Sequence, residues 1–424
     1  MTSRVRAALA VCAALAAVGA STAVVAPAAA ATTATTATAT TVPSAVAGCD
    51  VERVRYLPDE PPALTRLGAR QAWERATGAG VTVAVVDSGV DVRNAHLTTA
   101  VVPGTDVIGL GDPNGWADSA GHGTAVAGII AARPVEGSGL VGLAPEATIL
   151  PVRIYYDDSD QGAQAGVDVQ TGRVAQGILW AAEHGAQVIN VSISSTTDDP
   201  ALRDAVRVAT ERGSLVVASA GNRATAEDTS DSPRFPAAYD EALAVTAVDA
   251  GDSATPDAIH GPHVEIAAPG TDVVTTYHAA GDCVLGGEVS TSYATAYVSA
   301  AAALVAQAHP EETPAQWAHR LTVTAARFTA DQRDDWVGWG VVRAPAALTF
   351  VDDGSAPGPP SPVHERPVVD VPEPPDLELG AHEDVLAPVQ AVSTWWVLAG
   401  LGACVGALVV SRLTARRRPR RAPA

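Results

Sequence analysis

Four polar residues, far apart in the chain, have the types and settings that nucleophilic catalysis needs. Ser292 follows a Gly286-Gly287 turn and opens a run of Ala and other small residues from 293 to 305, with aromatics at Tyr293 and Tyr297. Alanine is the best helix former, so the run predicts a helix beginning near Ser292. The unpaired N–H groups and positive dipole end of such a start favour negative charge. That suits a hydroxyl whose attack leaves an oxyanion. Alone, a serine at this place reads as an ordinary N-cap. Its company changes the reading. His122 stands in Gly121-His122-Gly123-Thr124, at the first turn of a second small-residue helix, and Asp87 ends the β-branched run 81–86. An imidazole can take the serine proton, and a carboxylate can orient and balance the imidazole. Asn222, in Ala220-Gly221-Asn222 after the apolar run 215–218, can donate its amide to the oxyanion, and losing one such donor typically costs about 3–4 kcal/mol of barrier. The plain alternative makes Asp87 and Ser292 caps and Asn222 a turn residue.

These side chains need a frame. The run 81–86 is a continuous β-branched stretch, the pattern of a strand covered on both faces, and 148–154, 187–193, 215–218 and 242–248 read as further strands. Between them, 171–184 and 199–212 read as helices closed by Gly185 and Gly213, and a short helix is expected at 69–77, stopped by Gly78. Alternation of this kind implies right-handed crossovers and a mostly parallel sheet between two helical layers. In such sheets chemistry sits at the carboxyl ends of strands, where Asp87 and Asn222 fall. The acidic run 157–160 reads as a solvated loop rather than a calcium site, and no cofactor or metal is expected.

Charge and cysteine narrow the setting. The 424 residues hold 27 basic and 47 acidic side chains, a net charge of -20, yet eight arginines lie at the two ends. The stretch between them is therefore strongly acidic, which argues against nucleic acid as a partner. The chain has no lysine, which excludes Ser–Lys dyads and lysine Schiff bases. Arg4 and Arg6, the apolar run 7–20 and small residues near Ala30 and Ala31 form a secretory signal over 1–31. Residues 32–68 are a Thr/Ala spacer and an N-terminal extension, 69–350 the compact domain, and 351–391 a Pro-rich acidic linker. Residues 392–411 are long and apolar enough to span a bilayer, with Trp395 and Trp396 at the outer rim. The arginine-rich tail 412–424 should stay cytoplasmic, leaving the domain outside the cell membrane on a single-pass anchor. Cys12 leaves with the signal and Cys404 lies in the span. Cys49 and Cys283 remain in an oxidising setting, as one disulfide or as two thiols, the disulfide being the natural outcome.

The motifs, in their order Asp–His–Ser, resemble the subtilisin-like serine proteases (peptidase family S8) from about residue 69 to 348. They are Val-Asp-Ser-Gly-Val at Asp87, Gly-His-Gly-Thr at His122, Val-Ile-Asn-Val-Ser at Ser192, Ala-Gly-Asn at Asn222, Ala-Ala-Pro-Gly at 267–270, Thr-Ser-Tyr-Ala at Ser292 and Gly-Trp-Gly-Val-Val at 338–342. The resemblance implies a three-layer α/β fold with Ser292 as nucleophile, His122 as general acid/base and Asp87 as its partner. Asn222 and the Ser292 N–H would form the oxyanion hole. Ser192, Ile193, Ser194, Ser219, Ala220 and Gly221 would line a cleft where peptide adds as an extended strand. Within the family the chain is most similar to the mycosins, membrane-anchored proteases of type VII secretion systems, by its C-terminal span and basic tail, its Pro-rich spacer, its Cys-bearing N-terminal arm and its Ala296-Tyr297-Val298-Ser299. That implies protein substrates belonging to such a system. The alternative is a mainly structural component stabilising the membrane complex. Two residues depart from the family: Ser290 replaces a glycine, with strain expected if the turn needs positive φ, and Ser194 replaces another in the cleft wall.

Overall fold

A computed structural model of the chain describes residues 49–226, 228–285, 287, 289–366 and 386–416. The expected signal at 1–31, the spacer up to residue 48, residues 367–385 and the tail from 417 onward lie outside the described residues.

The body, residues 49–366, is built on β1 (Thr82–Asp87), β2 (Thr105–Asp106), β3 (Thr148–Arg153), β4 (Val188–Val191), β5 (Leu215–Ser219), β6 (Ala242–Val248) and β7 (Ile266–Pro269), with a hairpin of β8 (Val273–Thr276) and β9 (Asp282–Leu285). Its helices are α1 (Pro62–Arg66), α2 (Ala69–Trp73), α3 (His122–Ala131), α4 (Asp160–Ala165), α5 (Thr171–Glu183), α6 (Pro200–Glu211), α7 (Thr291–Ala308), α8 (Pro314–Val323) and α9 (Ala344–Thr349). The main sheet runs β2-β3-β1-β4-β5-β6-β7, and every pairing in it is parallel. This is the expected α/β architecture.

Period-two alternation divides the core. Val83 and Val85 of β1 join a cluster that includes α3, α7, α8 and α9, while Ala84 and Val86 face α5 and α6 on the other side. Helix α7 lies at the centre of the first layer, and its residues 294–306 are all buried. Its run of alanines lets backbones approach closely, so α7 packs on β4, β5, β6, β7 and α3 together.

Boundaries differ from the sequence pattern where tertiary contacts intervene. The helix expected at 69–77 is regular only to Trp73; Ala76 N–H still reaches the Ala72 carbonyl at 3.0 Å, and Thr77 and Gly78 turn their N–H groups to Gln307 Oε1. The acidic run 157–160 is not wholly a loop: Ser159 caps α4, which starts at Asp160. Of the segment read as a linker, residues 352–366 are bonded to the body, with Arg327 donating to the Pro357 carbonyl at 2.9 Å and Gly358 N–H to Asp331 at 2.9 Å.

The N-terminal arm is tied down by the Cys49–Cys283 disulfide, which joins residues 234 positions apart. Beside it a buried node forms at Asp282. One oxygen accepts from His96 Nε2 at 2.7 Å, and the other from Leu57 N–H at 2.7 Å and Ser138 Oγ at 2.6 Å. Separately, α10 (Ala387–Arg416) contains 28 residues, Ala387–Thr414, apolar and long enough to cross a membrane.

Candidate active site

Asp87 is the last residue of β1, and His122 the first of α3. Their meeting depends on two glycines. Gly89 adopts φ +105°, and a Cβ there would lie 2.2 Å from the Ala117 carbonyl oxygen; a Cβ on Gly123 would lie 2.1 Å from the Gly89 carbonyl oxygen. Only bare backbone lets the helix start settle against the strand end. His122 Nδ1 then lies 2.8 and 2.9 Å from the two Asp87 oxygens. Asp87 is fully buried and the His122 side chain 26% exposed. Asp87 also accepts from Ser88 N–H at 2.8 Å and the Tyr155 hydroxyl at 3.2 Å, so its neighbours are all donors, which suits a carboxylate. This fixes Nδ1 as the protonated ring nitrogen and turns Nε2 outward. Burial by itself lowers the imidazole's pKa, but the charge and hydrogen bond of Asp87, with Asp118 and Asp158 behind, outweigh it and hold His122 above its ordinary value.

Ser292 lies in the first turn of α7 and is nearly buried. Its Oγ donates to the Ser192 carbonyl at 3.1 Å, while Ser192 Oγ lies 3.0 Å from the Ser292 carbonyl oxygen. The end of β4 is thus stitched to the start of α7. The next side chain, Tyr293, lies over the His122 ring with centroids 6.1 Å apart and planes at 28°, so α7 and α3 meet at one rim.

Asn222 follows β5. Its Oδ1 accepts from Thr291 N–H at 2.8 Å and Thr291 Oγ1 at 2.9 Å, and Ser219 Oγ lies 2.7 Å from Thr291 Oγ1. With its oxygen committed, the amide has Nδ2 without a partner among the described residues. Ser194 and Gly221 face each other: a Cβ on Gly221 would lie 3.1 Å from Ser194 Oγ and 3.1 Å from Arg234 Cγ. Arg234 is itself 2% exposed. The strand pairing of Ser195 with Phe235 carries Arg234 to the end of this slot, a residue that no sequence signal singled out. Ser290 has φ -126° and ψ 116°, ordinary extended backbone, so the strain expected of serine at that turn is absent.

Away from this rim, a second group of histidine and acids is tied into the fold. Ligand atoms of His309, Glu311 and Glu312 come within 4.8 Å of one another. Yet Glu312 takes both arms of Arg320 at 2.6 and 2.5 Å, and His309 Nε2 meets the Leu348 carbonyl at 3.1 Å.

The sequence model of the subtilase family (Peptidase_S8) matches residues 78–340, the span that carries every one of these groups. The chain belongs to the subtilase family. This subtilase is 36% identical over 393 residues to Mycosin-1 of Mycobacterium tuberculosis, covering 81% of this chain and 84% of the relative. It is also 36% identical over 257 residues to Thermitase of Thermoactinomyces vulgaris, covering 59% of this chain and 86% of the relative. Among solved structures it is similar to MycP1 from Mycobacterium smegmatis, with a TM-score of 0.62 at 32% identity over 75% of this chain and 93% of that one. It is similar too to MycP3 protease from the type VII (ESX-3) secretion system, with a TM-score of 0.60 at 31% identity over 72% of this chain and 91% of that one. The subtilase is a serine protease related to the mycosins, acting on protein substrates.

Proposed function

We propose that this subtilase is a membrane-anchored endopeptidase, held outside the membrane by α10, that cleaves proteins of a type VII secretion system with an Asp87–His122–Ser292 triad. The observation that carries the reading is the paired hydrogen bond from His122 Nδ1–H to Asp87 at the start of α3, beside Ser292 at the start of α7. In the reaction, Ser292 Oγ leaves the Ser192 carbonyl and attacks the substrate carbonyl. His122 Nε2 takes its proton, and Asp87 holds the resulting imidazolium. The oxyanion forms against Asn222 Nδ2 and the first turn of α7. The proton then passes from His122 to the departing amine, and water releases the acyl group by the same steps in reverse. Ser192–Ser194 and Ser219–Gly221 flank the bound peptide. The secretion role is supported by similarity to mycosins that extends over most of the chain.

Ser292→Ala in the full chain is expected to lower peptide hydrolysis at least about 10⁴-fold. Mass spectrometry of secreted-protein termini should lose specific cleavages in that strain. Unchanged termini would sink the processing role. Secretion that survives in Ser292→Ala but stops when the whole chain is deleted would mark the scaffold as the essential part.

A further inference from the structure

Resting on the triad reading above, we propose that Asp118 is a positioning residue for the reaction: a second buried carboxylate that caps the His122 helix and stabilises the imidazolium formed during catalysis. Asp118 lies four residues before His122 in Asp118-Ser119-Ala120-Gly121-His122 and is 7% exposed. Its Oδ1 accepts from Gly121 N–H at 2.8 Å and Ser88 Oγ at 2.8 Å. Its Oδ2 accepts from Thr124 N–H at 2.8 Å and Thr124 Oγ1 at 2.6 Å.

The protonation state follows from these partners. Gly121 and Thr124 N–H can only donate, one to each oxygen, and the two hydroxyls can donate as well, so the site is furnished for the ionised form. Ser88 Oγ itself accepts from Gly123 N–H at 3.0 Å, and its proton goes to Asp118 rather than to Asp87, whose Oδ1 is farther at 3.2 Å. One hydroxyl therefore bridges two carboxylates, and both stand behind one imidazole.

Among the described residues no arginine bonds to this carboxylate. The groups facing it are Asp87 from β1, Tyr155 beyond β3, and His278 from the hairpin turn with Nδ1 3.1 Å from the Asp118 carbonyl oxygen, while Asp158 acts on His122. The nearby cation, Arg153, is spent on Asp106 at 2.6 Å and on the Ala117 carbonyl at 3.3 Å. His122 is then the cation that answers Asp118. Burial pushes the Asp118 carboxyl above its ordinary range, while the bonds from Thr124 and Ser88 pull the other way. Besides capping the helix, an anion held at that cost beside the general base acts most strongly on it when the base is charged.

The test is the pH dependence of labelling of Ser292 by a fluorophosphonate, measured on the purified full chain for the wild type, Asp118→Asn and Thr124→Val. Without the Asp118 charge the imidazolium is less stable, so His122 loses its proton at lower pH. The labelling limb of Asp118→Asn should move to lower pH, with a plateau rate roughly tenfold down. Thr124→Val keeps the backbone bond to Oδ2 but removes one donor, so it should move the limb the same way by less. That variant decides the matter if Asp118→Asn does not fold. A limb that coincides with the wild type in every folded variant overturns the proposal, since a mere helix cap would cost stability without moving it. A wild type that no pH renders reactive at Ser292 overturns the triad reading instead.

Discussion

Two helices begin at the reactive rim, and their first turns are finished in opposite ways. At α3 the free N–H groups of Gly121 and Thr124 meet the carboxylate of Asp118. At α7 the N–H of Thr291 meets a neutral amide oxygen, Asn222 Oδ1. Anions favour helix starts in general, so propensity does not explain the difference. The proposed chemistry does. The residue opening α3 must become a cation, and anions behind it help. The turn opening α7 must receive an anion, and a carboxylate there would repel it.

The comparison can be broken at α7 most severely. Asn222→Asp keeps an oxygen for Thr291 but sets a negative charge where the oxyanion forms. It is expected to cut kcat about 10³-fold or more with KM little changed, as measured on a peptide substrate. A loss in KM alone would count against the oxyanion assignment. Thr291→Val is milder. The Thr291 N–H still holds Asn222, but the chain from Ser219 Oγ through Thr291 Oγ1 is cut, and kcat should fall about tenfold or less. No change would mean that the backbone bond alone fixes the amide.

A smaller effect is expected away from both helices. Burial pushes Glu265, at the start of β7, up to about 7. The native state then holds a proton that the unfolded chain has lost between the ordinary carboxyl range and about 7. Stability should therefore fall as pH rises through that window. Glu265→Gln should flatten the fall, by on the order of 2 kcal/mol at the upper end, in denaturant titrations at pH 5 and pH 8. A wild type equally stable at both pH values would contradict the shift.

Much of the proposed catalytic set was legible because each residue sits at the end of an element with a clear local signature. β1, β4, β5 and β6 are mostly apolar runs, and α3 and α7 are runs of small residues bounded by Gly and hydroxyls. The supporting groups were not legible. Asp118 looks like one acid among 47, although its place four residues before His122 is a capping signal in hindsight. The His96–Asp282 contact, 186 positions apart, carries no local mark at all. Arg234 reads as a surface residue until Ser195 pairs with Phe235.

By itself, then, the sequence determined the layers, most of the main strands and the groups proposed to react, because hydrophobic period, helix propensity and glycine placement act over a few residues. Tertiary structure alone decided what stands behind those groups: which carboxylate caps the His122 helix, which way the Asn222 amide points, and that Ser290 is unstrained. Those outcomes depend on which donors and acceptors share a buried space. Chain neighbours do not specify that; only the close approach of β1, α3, β5 and α7 does.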